Sequence, residues 1–206
     1  MYTINLDLNG RKAVVVGGGR VAERKISGLL EEGADVTVVS PQLTACLLKL
    51  SEAGRLSWLQ KPFSPDDIKG AFLVMAATDS RDVNLAVKES AALGQLFNIA
   101  DDPELSDFQV PSVLKRGKLS IAISTSGASP MLAKKIRGQL EELFDERYEN
   151  YLEFLAACRT TILAEVKGER KKKQLLAAIA DSRFLDSEKR EERFTEMLKE
   201  ALEEDI

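Results

Sequence analysis

Histidine is absent from all 206 residues of the chain, and several kinds of active site are therefore excluded. Triads built on histidine, histidine metal ligands and the usual general base for chemistry near neutral pH are all missing. Any acid–base step must use a carboxylate, a lysine, a tyrosine, a cysteine or the substrate itself.

Cysteine is scarce, with only Cys46 and Cys158 in the chain. They lie far apart and show no paired spacing, so we expect neither a disulfide framework nor a thiolate metal site, and we predict no bound metal. We expect both to be buried, reduced thiols, the commonest state of free cysteine.

Long apolar runs and an excess of positive charge are also missing. No apolar run approaches the roughly 20 residues that span a bilayer, and the first nine residues lack the zones of a signal peptide. A net charge of −4 and a pI of about 5.2 provide no broad positive field for nucleic acid. With 44% apolar residues, the sequence indicates a folded, cytoplasmic protein that binds neither membranes nor nucleic acids.

From Arg11 onward, short β-branched runs alternate with helical stretches, which is typical of a parallel α/β sheet. A strand at 13–16, a helix at 21–32 that ends at Gly33 and a strand at 35–39 make one βαβ unit. The pattern continues with helices near 43–53 and 81–93 and strands at 56–59, 71–76 and 96–100. We therefore predict a Rossmann-like domain over residues 1–113.

The pattern of the remaining chain predicts a small connecting segment followed by helices. Two β-like stretches, 109–113 and 119–124, flank a turn at 115–118, and Ser129 with Pro130 should cap and open a helix that ends near Phe144. We place the connecting segment at 114–145 and a helical domain at 146–206, with linkers at 168–173 and 181–187.

A glycine pattern, Gly17-x-Gly19-x-x-Ala22, follows the first predicted strand and opens the first helix. Gly17 permits a tight turn, Gly19 lets a pyrophosphate approach the backbone, and Ala22 allows close packing of helix on strand. The helix N-terminus then offers free N–H groups to the diphosphate. The sequence therefore predicts a dinucleotide-dependent oxidoreductase.

The position after the second strand usually carries an acid for the ribose 2′-hydroxyl, but here the residues are Ser40, Pro41 and Gln42. The choice between NAD and NADP is thus open. Ser40 or Gln42 could bond a ribose hydroxyl, whereas Arg20 could meet a 2′-phosphate. We favour NAD because no basic cluster follows the strand.

Other polar residues follow the ends of later strands, where ligands of parallel sheets bind. Thr78 is a predicted cofactor neighbour, and Asp79 is the predicted cap of the next helix. Asp101 is our catalytic candidate, because it should lie near the nicotinamide, while Asp102 is expected to be a turn residue.

A hydroxyl-rich loop joins a strand to the helix that Pro130 opens, and it could hold anionic groups such as carboxylates, although capping by Ser129 alone also explains part of it. The predicted substrate-binding residues are Ser124, Thr125, Ser126 and Gly127.

Five segments together resemble the siroheme-synthase-type precorrin-2 dehydrogenases. They are VVVGGGRVAERK at 14–25, AATD at 76–79, NIAD at 98–101, FQVPS at 108–112 and STSGASP at 124–130. Their order and spacing match the family throughout.

The resemblance implies NAD-dependent oxidation of precorrin-2 to sirohydrochlorin, with hydride passing to the nicotinamide. It implies that Asp101 is the functional aspartate, that the loop at 124–127 binds the tetrapyrrole, and that residues 113–144 form a homodimer. Its dinucleotide contacts fall on Gly17, Gly19, Arg20, Val21, Pro41 and Gln42.

Two alternatives stay open at the level of sequence. Some relatives also insert iron into sirohydrochlorin, so the chain could be a bifunctional dehydrogenase and ferrochelatase, with Asp101 accepting pyrrole protons. A non-enzymatic NAD-sensing module is the other alternative, and it would need neither Asp101 nor the hydroxyl-rich loop.

Overall fold

The computed structural model describes residues 2–100 and 102–203, and the chain divides between Val110 and Pro111 into two units. Each unit is described by itself below. The second unit comprises both the predicted connecting segment and the predicted helical domain. The finer division at 114–145 remains a prediction.

A parallel sheet forms the centre of the first unit, in the order β3-β2-β1-β4-β5. Its strands are β1 (Lys12–Val16), β2 (Asp35–Val39), β3 (Ser57–Leu59), β4 (Leu73–Ala76) and β5 (Leu96–Ile99). The predicted Rossmann-like sheet is confirmed. The strand order reverses between β1 and β4, and ligands of such sheets bind at the carboxyl ends of the strands at this point.

Every side chain of β1 from Ala13 to Val16 is buried, because helices cover both faces of this sheet. Ala13 and Val15 pack in one layer with Ala22 and Ile26, whereas Val14 and Val16 pack in the opposite layer. The continuous apolar run thus predicted a strand buried on both faces correctly. The helices are α1 (Arg20–Glu31), α2 (Ala45–Glu52) and α3 (Arg81–Ser90), with a short 3₁₀ helix at Pro65–Ile68.

The second unit begins with an antiparallel hairpin, β6 (Ser112–Arg116) and β7 (Leu119–Ile123), followed by helix α4 (Pro130–Leu143). The predicted turn at 115–118 was too long. Gly117, with a φ of +53°, reverses the chain together with Lys118 alone, so the strand continues to Arg116. The cap of α4 is confirmed, since the Ser129 hydroxyl accepts the N–H of Leu132 at 3.2 Å.

Four further helices share one apolar core: α5 (Arg147–Glu165), α6 (Glu169–Ile179), α7 (Ser182–Leu185) and α8 (Arg190–Glu203). The linker predicted at 168–173 was wrong. Only Gly168, with a φ of +85°, lies outside α6, and the lysines that follow are good helix formers. The linker predicted at 181–187 was also wrong, because it contains α7, whose Phe184 is buried in the core. In the described ranges, no helix has the length and apolar character needed to cross a membrane.

Candidate functional site

The three consecutive glycines after β1 differ in what surrounds them. Gly17 has a φ of +123°, and a side chain there would overlap the carbonyl of Ala77. A side chain at Gly18 would overlap the carbonyl of Gln42 and lie 2.9 Å from the hydroxyl oxygen of Ser40. Gly19 has no atom of the described residues within 4 Å of the position that a Cβ would occupy. Glycine at 17 and 18 is therefore required by the protein itself, whereas the space at Gly19 is open to a ligand.

Helix α1 begins at this open space. Gly19 is its N-cap residue, and no side chain of the described part of the molecule caps it. Arg20 and Val21 lie exposed in the first turn, while Ala22 is fully buried against the sheet. Uncapped N–H groups at a helix start, beside a glycine with free space, fit the diphosphate of a dinucleotide.

The loop between β2 and α2 packs against the glycine turn. The backbone N–H of Thr44 donates to the carbonyl of Gly18 at 3.0 Å. Ser40 is buried and its hydroxyl donates to the carbonyl of Gln42 at 2.8 Å, so this hydroxyl points into the protein. Pro41 and Gln42 are exposed. Of the two open candidates for a ribose contact, Gln42 is therefore the exposed one.

The carboxyl end of β4 is held by Asn84, a residue that the sequence analysis missed. Asn84 is 3% exposed, and its Oδ1 accepts both the N–H of Thr78 at 3.2 Å and the Thr78 hydroxyl at 2.7 Å. The cap predicted at Asp79 was wrong: the hydroxyl of Ser80 accepts the N–H of Val83 instead. Burial of Asn84 could have been predicted from its position, because it lies three residues before the buried Val87 and so shares its helix face.

A cavity of about 200 Å³ lies between the carboxyl ends of β4 and β5. Thr78 and Asn84 line one side, and Ile99, Asp102 and Leu105 line the other. Its place in the sheet is the edge where parallel α/β sheets bind ligands.

Asp101, the catalytic candidate, lies outside the described residues, but its neighbours on both sides are described. The Ser106 hydroxyl accepts the N–H of Ile99 at 2.9 Å and contacts the carbonyl of Asp102 at 2.8 Å. Asp102 accepts the N–H of Leu105 at 3.3 Å, which confirms the predicted turn role. Ser106, which was not recognised from the sequence, therefore links Ile99 and Asp102, which lie before and after this position.

Side chains also form hydrogen bonds along β5, which is an edge strand of the sheet. The Asp107 carboxylate accepts the N–H of Phe97 at 2.9 Å, and the Asn98 amide donates to the carbonyl of Phe108 at 2.9 Å. The Lys25 ammonium donates to Asn98 Oδ1 at 3.3 Å. Burial, aided by the neighbouring charge of Arg24, holds the pKa of Lys25 below its usual range. Lys25 was not singled out from sequence, and it ties α1 to this edge.

The hydroxyl-rich loop belongs to the second unit and precedes α4. Ser126 has a φ of +50° and Gly127 a φ of +84°, so two successive residues are left-handed. The Ser124 hydroxyl accepts the N–H of Ser126 at 3.1 Å, and the Thr125 hydroxyl accepts that of Ser129 at 3.0 Å. Ser124, Ser126 and Gly127 are exposed. The side chain of Ser126 is thus exposed in a conformation that disfavours residues other than glycine.

The two cysteines differ in their surroundings. Cys158 is buried as expected, and burial raises its pKa to about 11. The expectation for Cys46 was wrong, because it is exposed on α2, where only Leu47 is buried. Among residues 2–100 and 102–203, no three cysteine, aspartate or glutamate side chains are grouped to hold a metal ion.

Comparisons with known proteins match most of the chain, including both units. Family models for NAD(P)-binding, for the central part of sirohaem biosynthesis proteins and for the SirC C-terminal domain match residues 4–112, 116–143 and 148–194. The precorrin-2 dehydrogenase of Priestia megaterium is 40% identical over 184 residues, which cover 89% of this chain and 91% of that protein.

Two further matches have different extents. The siroheme synthase of Nitrosococcus oceani is 37% identical over 195 residues, which cover 92% of this chain but 42% of that protein. A solved structure of SirC, precorrin-2 dehydrogenase, has a TM-score of 0.85 and 38% identity, and the match covers 97% of this chain and 100% of that one.

Proposed function

The chain belongs to the family of precorrin-2 dehydrogenases and siroheme synthase N-terminal modules, and on that premise we propose that it oxidises precorrin-2 to sirohydrochlorin with NAD. One structural observation is the main support for this proposal: the glycine turn leaves open space at Gly19 beside the uncapped start of α1. A diphosphate fits there, at the reversal point of a parallel sheet.

The reaction removes a hydride and a proton from precorrin-2. NAD, when bound, supplies the acceptor for the hydride. We propose that Gly17, Gly19, Arg20 and Val21 bind its diphosphate side, that Pro41 and Gln42 border the adenosine side, and that Thr78 lies beside it at the end of β4. The exposure of Arg20, Val21, Pro41 and Gln42 supports this assignment.

We propose Asp101 as the acceptor of the proton, since the chain contains no histidine and a carboxylate is the nearest alternative base. We assign the carboxylates of the tetrapyrrole to the loop of Ser124, Thr125, Ser126 and Gly127. The exposed Ser126 side chain and the N-terminus of α4 directly after the loop support this role.

An anaerobic assay tests the proposal directly. The protein is mixed with precorrin-2 and NAD, and the absorbances of sirohydrochlorin and NADH are followed together. We expect equal amounts of the two products. Binding of NADH without turnover of precorrin-2 would instead identify the NAD-sensing module and exclude the dehydrogenase.

Iron insertion is tested as an additional arm of the same assay. The identity to siroheme synthases motivates it, although this chain spans only about two fifths of their length. Ferrous iron is added as a substrate once sirohydrochlorin has formed. Siroheme formation faster than in a protein-free control would establish the bifunctional enzyme.

We further propose a cytoplasmic homodimer. Three apolar side chains of α4 are exposed in the single chain: Met131 at 76%, Leu132 at 48% and Leu143 at 67%. Large exposed apolar surfaces are commonly covered by a partner. Light scattering should give about twice 22.7 kDa, and a clean monomer at micromolar concentration would refute the dimer.

A further inference from the structure

We propose that Glu23, held in place by Thr44, supplies the negative charge that is missing after β2 and thereby makes the site select NAD over NADP. The inference rests on the proposed function, because it assumes that a dinucleotide binds at the glycine turn. It goes beyond it by naming the residue pair that decides between the two cofactors.

The position of the Glu23 carboxylate is determined by one residue of the β2–α2 loop. The Thr44 hydroxyl donates to Glu23 Oε2 at 2.5 Å and accepts the N–H of Leu47 at 3.3 Å, while the Thr44 N–H donates to the carbonyl of Gly18 at 3.0 Å. Thr44 therefore connects α1, the glycine turn and the start of α2. The carboxylate lies where the diphosphate-binding turn meets the loop that follows β2.

No residue of that loop can take the role of the missing acid. Residues 40–44 contain no charged side chain, and the Ser40 hydroxyl donates inward to Gln42. The loop and the glycine turn are in close contact, because Gly18 lacks room even for a methyl group beside the Gln42 carbonyl. Glu23 is thus the carboxylate that the fold itself joins to this loop.

The Glu23 carboxylate is held by a neutral group rather than by a cation. Within the described ranges Glu23 forms no ion pair, and its partner Thr44 is a neutral donor that satisfies one oxygen without removing the charge. A fixed carboxylate can accept a hydrogen bond from the neutral 2′-hydroxyl of NAD. It repels the dianionic 2′-phosphate of NADP, and discrimination by such repulsion is a common source of specificity.

The opposing influence is Arg20, which lies exposed in the first turn of the same helix. If Arg20 dominated the local field, a 2′-phosphate would be attracted. The two residues therefore predict opposite preferences, and binding of the two cofactors distinguishes them.

Binding can be measured without turnover, because the chain has one tryptophan, Trp58, whose indole N–H donates to the carbonyl of Ser40 at 2.9 Å. Energy transfer from Trp58 to a bound reduced nicotinamide gives dissociation constants for NADH and NADPH. The variants are Glu23→Gln, Thr44→Val and Thr44→Ser. Glu31→Gln, an exposed carboxylate in the last turn of α1, is the matched control.

We expect wild-type protein and Glu31→Gln to bind NADH more tightly than NADPH. In Glu23→Gln the ratio should shift towards NADPH by about tenfold, the size expected for losing one nearby like charge. Thr44→Val should give part of this shift, and Thr44→Ser, which keeps the hydroxyl, should restore the wild-type ratio.

The possible results distinguish a failure of the proposed function from a failure of the role of Glu23. A wild-type protein that binds neither cofactor refutes the proposed function and the inference with it. A protein that binds NADH, but whose cofactor ratio is the same in Glu23→Gln, Thr44→Val and Glu31→Gln, retains the function and refutes the role of Glu23. Tighter binding of NADPH by wild-type protein refutes it as well.

Discussion

The Asn84 side chain forms hydrogen bonds with both backbone groups of Thr78: its Oδ1 accepts the Thr78 N–H at 3.2 Å, and its Nδ2 donates to the Thr78 carbonyl at 3.2 Å. A buried side chain on α3 thus replaces the strand partner that the chain loses where β4 ends. This arrangement shapes the cavity at the carboxyl ends of β4 and β5.

Replacing this side chain should destabilise the first unit. In Asn84→Ala, the N–H and carbonyl of Thr78 lose their partners, and the free energy of unfolding should fall by about 2 kcal/mol. Urea denaturation measures the change, with Glu89→Ala on the exposed face of the same helix as the control. Equal stability of the two variants would show that water replaces the amide at no cost.

Adjacent glycines of the turn should respond in opposite ways to alanine. In Gly18→Ala the methyl group overlaps the Gln42 carbonyl, so the loop must move and stability should fall by about 2 kcal/mol. Gly19→Ala has free space, so the protein should fold normally but bind NADH about tenfold more weakly, because the methyl group occupies the phosphate space. Thermal unfolding and NADH titration test the pair, and unchanged affinity in Gly19→Ala would place the cofactor elsewhere.

Loss of the proposed base should reduce turnover without affecting the cofactor. Asp101→Asn keeps the size and polarity of the side chain but removes its basicity, so turnover should fall by about a hundredfold while NADH affinity persists. Asp102→Asn is the matched control, since asparagine preserves the turn in which Asp102 accepts the Leu105 N–H. Near-normal turnover in Asp101→Asn would assign proton removal to solvent.

The left-handed Ser126 allows stability and substrate binding to be separated. Ser126→Gly should raise the free energy of unfolding by about 1 kcal/mol, because glycine adopts a φ of +50° without steric cost. If the serine hydroxyl binds the substrate, the same variant should raise KM for precorrin-2. Ser120→Gly, at an exposed strand position, should only destabilise. An unchanged KM in Ser126→Gly would remove Ser126 from the substrate site.

Burial of Cys158 predicts a loss of stability at alkaline pH. The pKa of the thiol rises from 9.0 to about 11 on folding, so between these values the unfolded chain has lost a proton that the folded chain retains. The free energy of unfolding should therefore decline as pH rises from about 9 to 11, in addition to the effects of other groups. Urea denaturation at pH 8 and pH 10 should show a smaller decline in Cys158→Ala than in wild type.

Exposed Cys46 serves as the control for this pH dependence. Because Cys46→Ala leaves the buried thiol of Cys158 in place, this variant should show the same decline as wild type. An identical decline in all three proteins would contradict the prediction, because it would mean that the Cys158 thiol ionises as easily in the folded chain as in the unfolded chain.

The alternation of patterns along the chain was sufficient to predict the first unit. Ala13 to Val16 is apolar throughout because both faces of β1 are covered, and Gly33 marks the end of α1 through its φ of +74°. These features are local, so they can be recognised without knowing what lies nearby in space. The pattern failed at 168–173, where a basic run looks like a linker but forms the start of α6.

The parallel sheet, the glycine turn and the family of the chain can be predicted from the sequence, because each depends on the order and spacing of residues along the chain. Three contacts become evident only in the folded molecule: Asn84 supports Thr78, Ser106 links Ile99 to Asp102, and Thr44 holds Glu23. These pairs are hydrogen bonds between side chains and the ends of separate strands and helices. Such bonds depend on distances and burial that arise only when the sheet brings distant segments together, and no local pattern records them.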